Sequence, residues 1–235
     1  MMFLNRVGFN YNIEKFINVI KNKKIIMIDG IIGAGKTTTI KKMNEYFNEK
    51  GIKTYPIYEP VNIWRQTGAL DEFYKNISDK CYEFQTFTYI TRIKNTIEEI
   101  MNHPDADYYL LERSIFTDRY IFVELLKENM GPIRMDMYNQ WWDMWSLLMP
   151  IKVHKWVFLN TSLDESLNRI QKRSRFEENT ISKEYQKNLY DKHIEFFNIL
   201  EDNGEKTIII PETIMDQNIP DNRQLIEKIG NMIIN

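Results

Sequence analysis

What the chain lacks narrows it first. Cys81 is the only cysteine in 235 residues, so no internal disulfide can staple the fold. His103, His154 and His193 stand far apart and form no metal-ligand cluster by spacing. No apolar run approaches the roughly eighteen residues that a membrane span needs. The 31 basic and 33 acidic residues leave a net charge of −2, so no basic field marks a nucleic-acid groove. Neither a repeat nor a low-complexity segment interrupts the chain. The first residues carry Arg6 and Lys15 but also Glu14, without the Arg- and Ser-rich character of a transit peptide. The cytosol, or the equivalent compartment of a host cell, is therefore the expected setting. With 43% hydrophobic and 27% charged residues the composition is globular, and the length suits one domain over residues 1–235.

What is present begins at residues 24–39. Lys24-Ile25-Ile26-Met27-Ile28-Asp29 is a short β-branched run that reads as a buried parallel strand. Gly30 to Thr37 then fits G-x-x-x-x-G-K-[ST], the phosphate-binding loop. Gly30, Gly33 and Gly35 let the backbone bend so that successive N–H groups, through Ala34 and on to Thr38, point into one concavity. The helix opening at Lys36 adds its positive end. Lys36 can reach the β- and γ-phosphates of a nucleoside triphosphate, and the Thr37 hydroxyl can hold Mg²⁺.

Strands and helices alternate along the rest. Helical spacing predicts a lead-in helix over 11–21, within an N-terminal segment 1–22, and a helix after the loop that stops near Gly51. Strands are expected over 53–58, 107–111, 153–159 and 207–210. Helices are expected over 62–74, 81–101 (broken by His103-Pro104-Asp105), 118–128, 135–149, 162–173, 182–202 and from 222 onward. Gly131-Pro132 separates two of them, and Ser162 with Glu165 forms a capping box. Five strands alternating with helices imply an open parallel α/β sheet covered on both faces.

In such sheets the ligand sits outside the carboxyl ends of the strands. The first strand ends in the phosphate loop, the second in Glu59, and the third in Glu112-Arg113. Two carboxylates and a guanidinium thus converge where the γ-phosphate should lie. Arg169, Lys172 and Arg173 share one helical face, with Arg175 just past its end. Beside a phosphate loop these cations read as a lid over 173–180 that closes on the triphosphate. Glu177 and Glu178 follow and could face an acceptor hydroxyl.

Four groups of residues, in order, resemble the deoxynucleoside kinase family, which includes deoxycytidine and deoxyguanosine kinases. They are Glu59-Pro60-Val61 with Trp64; Phe84-Gln85-Thr86 with Arg92; Glu112-Arg113-Ser114 with Asp118-Arg119-Tyr120; and Arg169, Arg173, Arg175 and Glu178. The resemblance runs from about Lys24 to Phe197. It implies a P-loop kinase fold with a five-stranded parallel sheet and an Arg-rich lid. It implies transfer of the γ-phosphoryl group of ATP, with Mg²⁺, to the 5′-hydroxyl of a deoxynucleoside, and a homodimer built on helices like 118–128 and 135–149. Trp141, Trp142 and Trp145 on the second of these cannot all face one core, which suits such an interface.

By this resemblance Glu59 meets the 5′-hydroxyl, Arg113 holds the same oxygen and the phosphate, and Glu112 lies between Mg²⁺ and the hydroxyl; either glutamate can be the proton acceptor. Tyr74 and Glu178 match the pair that grips the sugar 3′-hydroxyl. Trp64 and Gln85 frame the base, Arg92 and Asp118 form a charged pair at its far end, and Phe73 and Thr88 set pocket size. A loop sensing adenine would fall near 212–219. Three rival functions fit the residues less well. A nucleoside monophosphate kinase would want an extra cation in the pocket for its acceptor phosphate, whereas Glu59 beside a neutral hydroxyl suits a nucleoside better. A GTP-dependent switch would need an Asn-Lys-x-Asp motif, which does not occur, and a non-catalytic scaffold has no need for an intact loop, Glu112-Arg113 and lid together.

Overall fold

The computed structural model describes residues 13–148, 151–211 and 223–234. Its centre is β1 (Lys24–Asp29), whose five residues after Lys24 are all buried. β2 (Thr54–Ile57), β3 (Tyr108–Glu112), β4 (Val153–Asn160) and β5 (Thr207–Pro211) complete a five-stranded, all-parallel sheet in the order β2-β3-β1-β4-β5. Pairing of Ile28 with Glu112 puts the ends of β1 and β3 side by side, so the loop after one faces the carboxylate closing the other.

Helices cover both faces, as the alternation of elements requires. One core lies under α2 (Lys36–Glu49), α9 (Lys183–Asp202) and α10 (Arg223–Ile234), through Ile40, Met43, Phe47, Phe196, Phe197 and Ile229. The other lies under α1 (Ile13–Ile20), α4 (Ala69–Lys75), α5 (Ile77–Asn102) and α7 (Glu124–Leu148), through Phe16, Phe73, Tyr89, Ile93 and Tyr138. Each of these side chains contributes about 1.5–3 kcal/mol by leaving water. Among the described residues no helix is long and apolar enough to cross a membrane.

Several element boundaries differ from the sequence reading, each for a local reason. The helix expected over 62–74 is two, α3 (Val61–Gln66) and α4, because Gly68 takes the left-handed conformation at φ 76°. α5 starts earlier than residue 81, at Ile77, with the Asn76 side chain accepting from the Asp79 N–H. Residues 118–128 do not form an ordinary α-helix at the start. The short turn α6 (Ile115–Thr117) runs into a π-helical stretch, Asp118–Val123, before α7 begins. The break expected at Gly131-Pro132 is a kink inside α7, with Gly131 at φ 70° and ψ 171°. α8 (Leu163–Arg173) has the expected cap, Ser162 accepting from Glu165 N–H at 3.3 Å, while the Glu165 carboxylate is held by Arg169 Nε at 2.7 Å. After Ser174 the chain turns through a 3₁₀ segment, Phe176–Thr180, where the lid was expected. Residues 1–12, 149, 212–219, 222 and 235 of the expected segments lie outside the described residues.

Candidate active site

The cradle forms because the chain leaves β1 through residues that only glycine suits. A Cβ on Gly33, at φ 79°, would come within 2.6 Å of the Ser166 carbonyl, so the loop can lie flat against α8 only without one. Gly35, also left-handed, opens α2. Lys36 is buried, and its Nζ donates to the carbonyls of Gly30 and Ile31 at 3.0 Å each. Burial, then the Arg113 charge, pushes its amine down to about 8, against the pull of Glu59, Glu112 and Asp29. The Thr37 hydroxyl donates to both oxygens of Glu112, at 2.8 and 2.9 Å. A hydroxyl and a carboxylate this close offer the hard oxygen donors that Mg²⁺ takes alongside water and phosphate oxygens. Among the described residues no group of three or more His, Cys, Asp or Glu could hold a metal ion.

Next to the cradle, four buried ions are joined. Arg92 directs Nε and Nη2 at Asp118, 2.8 and 3.2 Å, and Nη2 also reaches Glu59 at 2.9 Å. Arg113 holds both oxygens of Glu59 through Nη1, at 3.1 and 3.0 Å, and gives Nη2 to the Gly30 carbonyl at 3.0 Å. Arg92 and Asp118 are 4% and 1% exposed, which rules out an ion pair on the surface. Burial alone would raise the Glu59 carboxyl; Arg113, Arg92 and Lys36 bring it down to about 2. Glu112 is pushed up instead, by burial and by the charge of Glu59. The π-helical turn explains why Asp118 faces Arg92: it widens the helix where Asp118 and Phe122 reach the cleft.

The expected site residues therefore gather into one continuous cleft at the carboxyl ends of the strands. Its narrow end is lined by Trp64, Phe73, Phe84, Gln85, Thr88, Arg92 and Asp118. Phe73 stacks on Phe84 at 4.4 Å, and Trp64 is tied by Nε1 to Thr91 at 2.8 Å. The middle brings Glu59, Tyr74, Glu112, Arg113 and Glu178 together. The outer end holds Gly33, Gly35, Lys36, Thr37, Thr38, Arg169, Lys172, Arg173 and Arg175. Ala34 lies behind this lining, fully buried, its carbonyl accepting from Arg169 Nη1 at 3.2 Å. Glu178 is gripped by Arg173 and Arg175, so the expected sugar and phosphate ligands touch one another. Glu177 is elsewhere: it pairs with Arg65 of α3 at 2.7 Å.

Sequence reasoning missed Ile32, Leu70, Phe122 and Tyr185, which also line the cleft, and Asp29 and His193 beneath it. The apolar ones look like ordinary core positions. Asp29 did carry a signal, a charge closing an apolar strand.

Comparison with known proteins fits this geometry. A family model described as deoxynucleoside kinase matches residues 26–235. The chain belongs to the deoxynucleoside kinase family. Among similar proteins is a probable deoxycytidine kinase of fowlpox virus, 32% identical over 204 residues, covering 85% of this chain and 82% of the relative. Deoxycytidine kinase 2 of Gallus gallus is 27% identical over 194 residues, covering 74% and 73%. Mitochondrial thymidine kinase 2 of Homo sapiens is 29% identical over 182 residues, covering 75% and 65%. This kinase thus acts on small nucleoside and nucleotide substrates, through the α/β fold expected from its sequence.

Proposed function

We infer that this kinase moves the γ-phosphoryl group of ATP to the 5′-hydroxyl of deoxycytidine or a purine deoxynucleoside, in preference to thymidine. The observation that carries the base preference is the buried bridge from Arg92 to both Asp118 and Glu59. At the narrow end, cytosine, adenine or guanine can offer amine hydrogens, or O6 and N7, to a paired carboxylate and guanidinium. Thymine would set its methyl against that pair and desolvate it without return, at about 1–3 kcal/mol or more. The relatives from fowlpox virus and Gallus gallus are deoxycytidine kinases by name, which supports cytosine, while the one from Homo sapiens is a thymidine kinase.

Charge placement supports the reaction. Glu59, ionised and held by two arginines, orients the 5′-hydroxyl by accepting from it; a phosphorylated acceptor would be repelled by it. Glu112, more basic, stands beside Thr37, and these two would hold Mg²⁺, whose charge would offset that of the triphosphate. Arg113 and Lys36 converge through the Gly30 carbonyl and meet the charge that grows on the transferred group. Arg169, Arg173 and Arg175 close over it as a lid. Tyr74 and Glu178 receive the sugar 3′-hydroxyl.

A homodimer is part of the same reading. Ile133, Met137, Trp141, Met144 and Leu148 are exposed along one stripe of α7, spaced as one helical face. The cytosol as compartment rests on the sequence alone. The test of the chemistry is product identity with labelled ATP and Mg²⁺: label on the 5′-oxygen of a deoxynucleoside is expected. Label entering only deoxynucleoside monophosphates overturns the reading.

A further inference from the structure

Under the cradle lies a buried pair for which the transfer reaction described above has no task. Asp29 ends β1, His193 sits far along the chain on α9, and both are fully buried. Donors surround the Asp29 carboxylate. Oδ1 accepts from Gly30 N–H at 2.8 Å and Oδ2 from the Thr117 hydroxyl at 2.5 Å, while Arg113 Nε stands 3.7 Å from Oδ1. His193 turns Nε2 to the same Oδ1 at 3.1 Å and Nδ1 to the Leu189 carbonyl at 2.7 Å. Both ring nitrogens therefore face oxygens that accept, one a carbonyl and the other a carboxylate. The ring plane is held against Phe158, with centroids 5.7 Å apart and planes 17° from parallel. Burial would push the Asp29 carboxyl up; the hydrogen bond and charge of His193, then Arg113 and Thr117, hold it well below the usual carboxylate range.

An ion pair removed from water is weak evidence for stability, because desolvation consumes most of its attraction. What the pair touches gives it a better account. Gly30 is the first residue of the cradle, and its carbonyl receives both Lys36 and Arg113. Arg113 sits at φ 58°, a conformation that costs a non-glycine residue about 1–3 kcal/mol and persists only where its surroundings impose it. Its Nε has no hydrogen-bond partner among the described residues and looks toward Asp29.

We propose that His193 and Asp29 are positioning residues for phosphoryl transfer: the histidine ring fixes the carboxylate, and the carboxylate fixes Gly30 and Arg113 against the transferred group. The proposal rests on the kinase reading and deepens it. Displacing groups that touch the reacting centre by about 1 Å costs on the order of a hundredfold in rate. His193→Leu should therefore lower kcat by roughly that factor while the deoxynucleoside KM stays within about threefold. His193→Gln, whose amide can still donate to Asp29, should recover most of the loss.

The experiment is steady-state kinetics of both variants with ATP, Mg²⁺ and the best deoxynucleoside. It is paired with ¹⁵N NMR of the His193 ring in the unmutated, unliganded protein. Expected are the kcat-specific loss, its rescue by Gln, and a ring protonated on both nitrogens. An unchanged kcat in His193→Leu, or equal losses in both variants, overturns the proposal. If His193→Leu does not fold, the ring decides: a neutral ring overturns it and an imidazolium upholds it. An unmutated protein that phosphorylates no deoxynucleoside would sink the kinase reading instead, and the ring measurement would still judge the pair.

Discussion

The two ends of the cleft solve the problem of buried charge in different ways. At the narrow end every ion is matched to another: Arg92 to Asp118 and Glu59, Glu59 also to Arg113. At the outer end the cations rest on backbone carbonyls or on single carboxylates near the surface. Lys36 leans on Gly30 and Ile31, Arg169 on Ala34 and Glu165, and Arg173 and Arg175 on Glu178, with side chains 35% and 32% exposed. A closed network is fixed before any ligand arrives and suits discrimination between bases. Cations on neutral carbonyls keep their charge available, so an arriving triphosphate can take them over. On the proposed reading, specificity and catalysis separate along one cleft.

Breaking the narrow end alone should have the largest effect. Arg92→Met leaves Asp118 buried without its partner, a change that costs about 3–5 kcal/mol, and thermal unfolding should show it. Asp118→Ala strands Arg92 in the same way. Arg92→Met with Asp118→Ala removes both charges, so it should be more stable than either single variant and should admit thymidine; a double variant no better than the singles would show that the two do not act as a pair.

At the outer end Lys36→Ala should keep the fold and reduce kcat by about two to three orders of magnitude, the usual loss for one preorganised contact to a developing anion. Near-normal turnover at saturating ATP would move the triphosphate elsewhere.

Where the ends meet, Glu178→Gln should raise KM for a 2′-deoxynucleoside by roughly tenfold, since a hydrogen bond to a charged group is worth about 1.5–3 kcal/mol. An analogue without the 3′-hydroxyl should lose less. Because Glu178 also holds Arg173 and Arg175, a comparable change in KM for ATP would place its main role with the phosphates.

The contrast also explains what the sequence disclosed. The cradle was legible because its glycines, Lys36 and Thr37 are contiguous and each follows from backbone geometry. Glu59 and Glu112-Arg113 were legible as polar residues closing apolar strands. The strand order was not, since it depends on crossovers rather than local pattern. Nor was the π-helical turn that aims Asp118 and Phe122, because residues 118–123 carry an ordinary helical composition. His193 and Asp29 lie 164 positions apart, and a lone histidine on a long helix gives no hint of a partner.

Acid should have the mildest effect. The Glu59 carboxyl lies at about 2 when folded against an ordinary value near 4.5, so its stabilisation is complete above that value and is lost as pH falls from about 4.5 toward 2. Glu112 and Asp118, raised by burial, act in the opposite sense and blunt the fall. Glu59→Gln should remove the Glu59 part of that slope in an acid-unfolding series.

The account stands most directly on the base preference of the unmutated kinase. With ATP and Mg²⁺, kcat/KM measured for all four natural deoxynucleosides should place deoxycytidine, deoxyadenosine or deoxyguanosine first and thymidine last, by at least about tenfold for 1–3 kcal/mol of unreturned desolvation. Thymidine at or near the top would contradict the role given to Arg92 and Asp118.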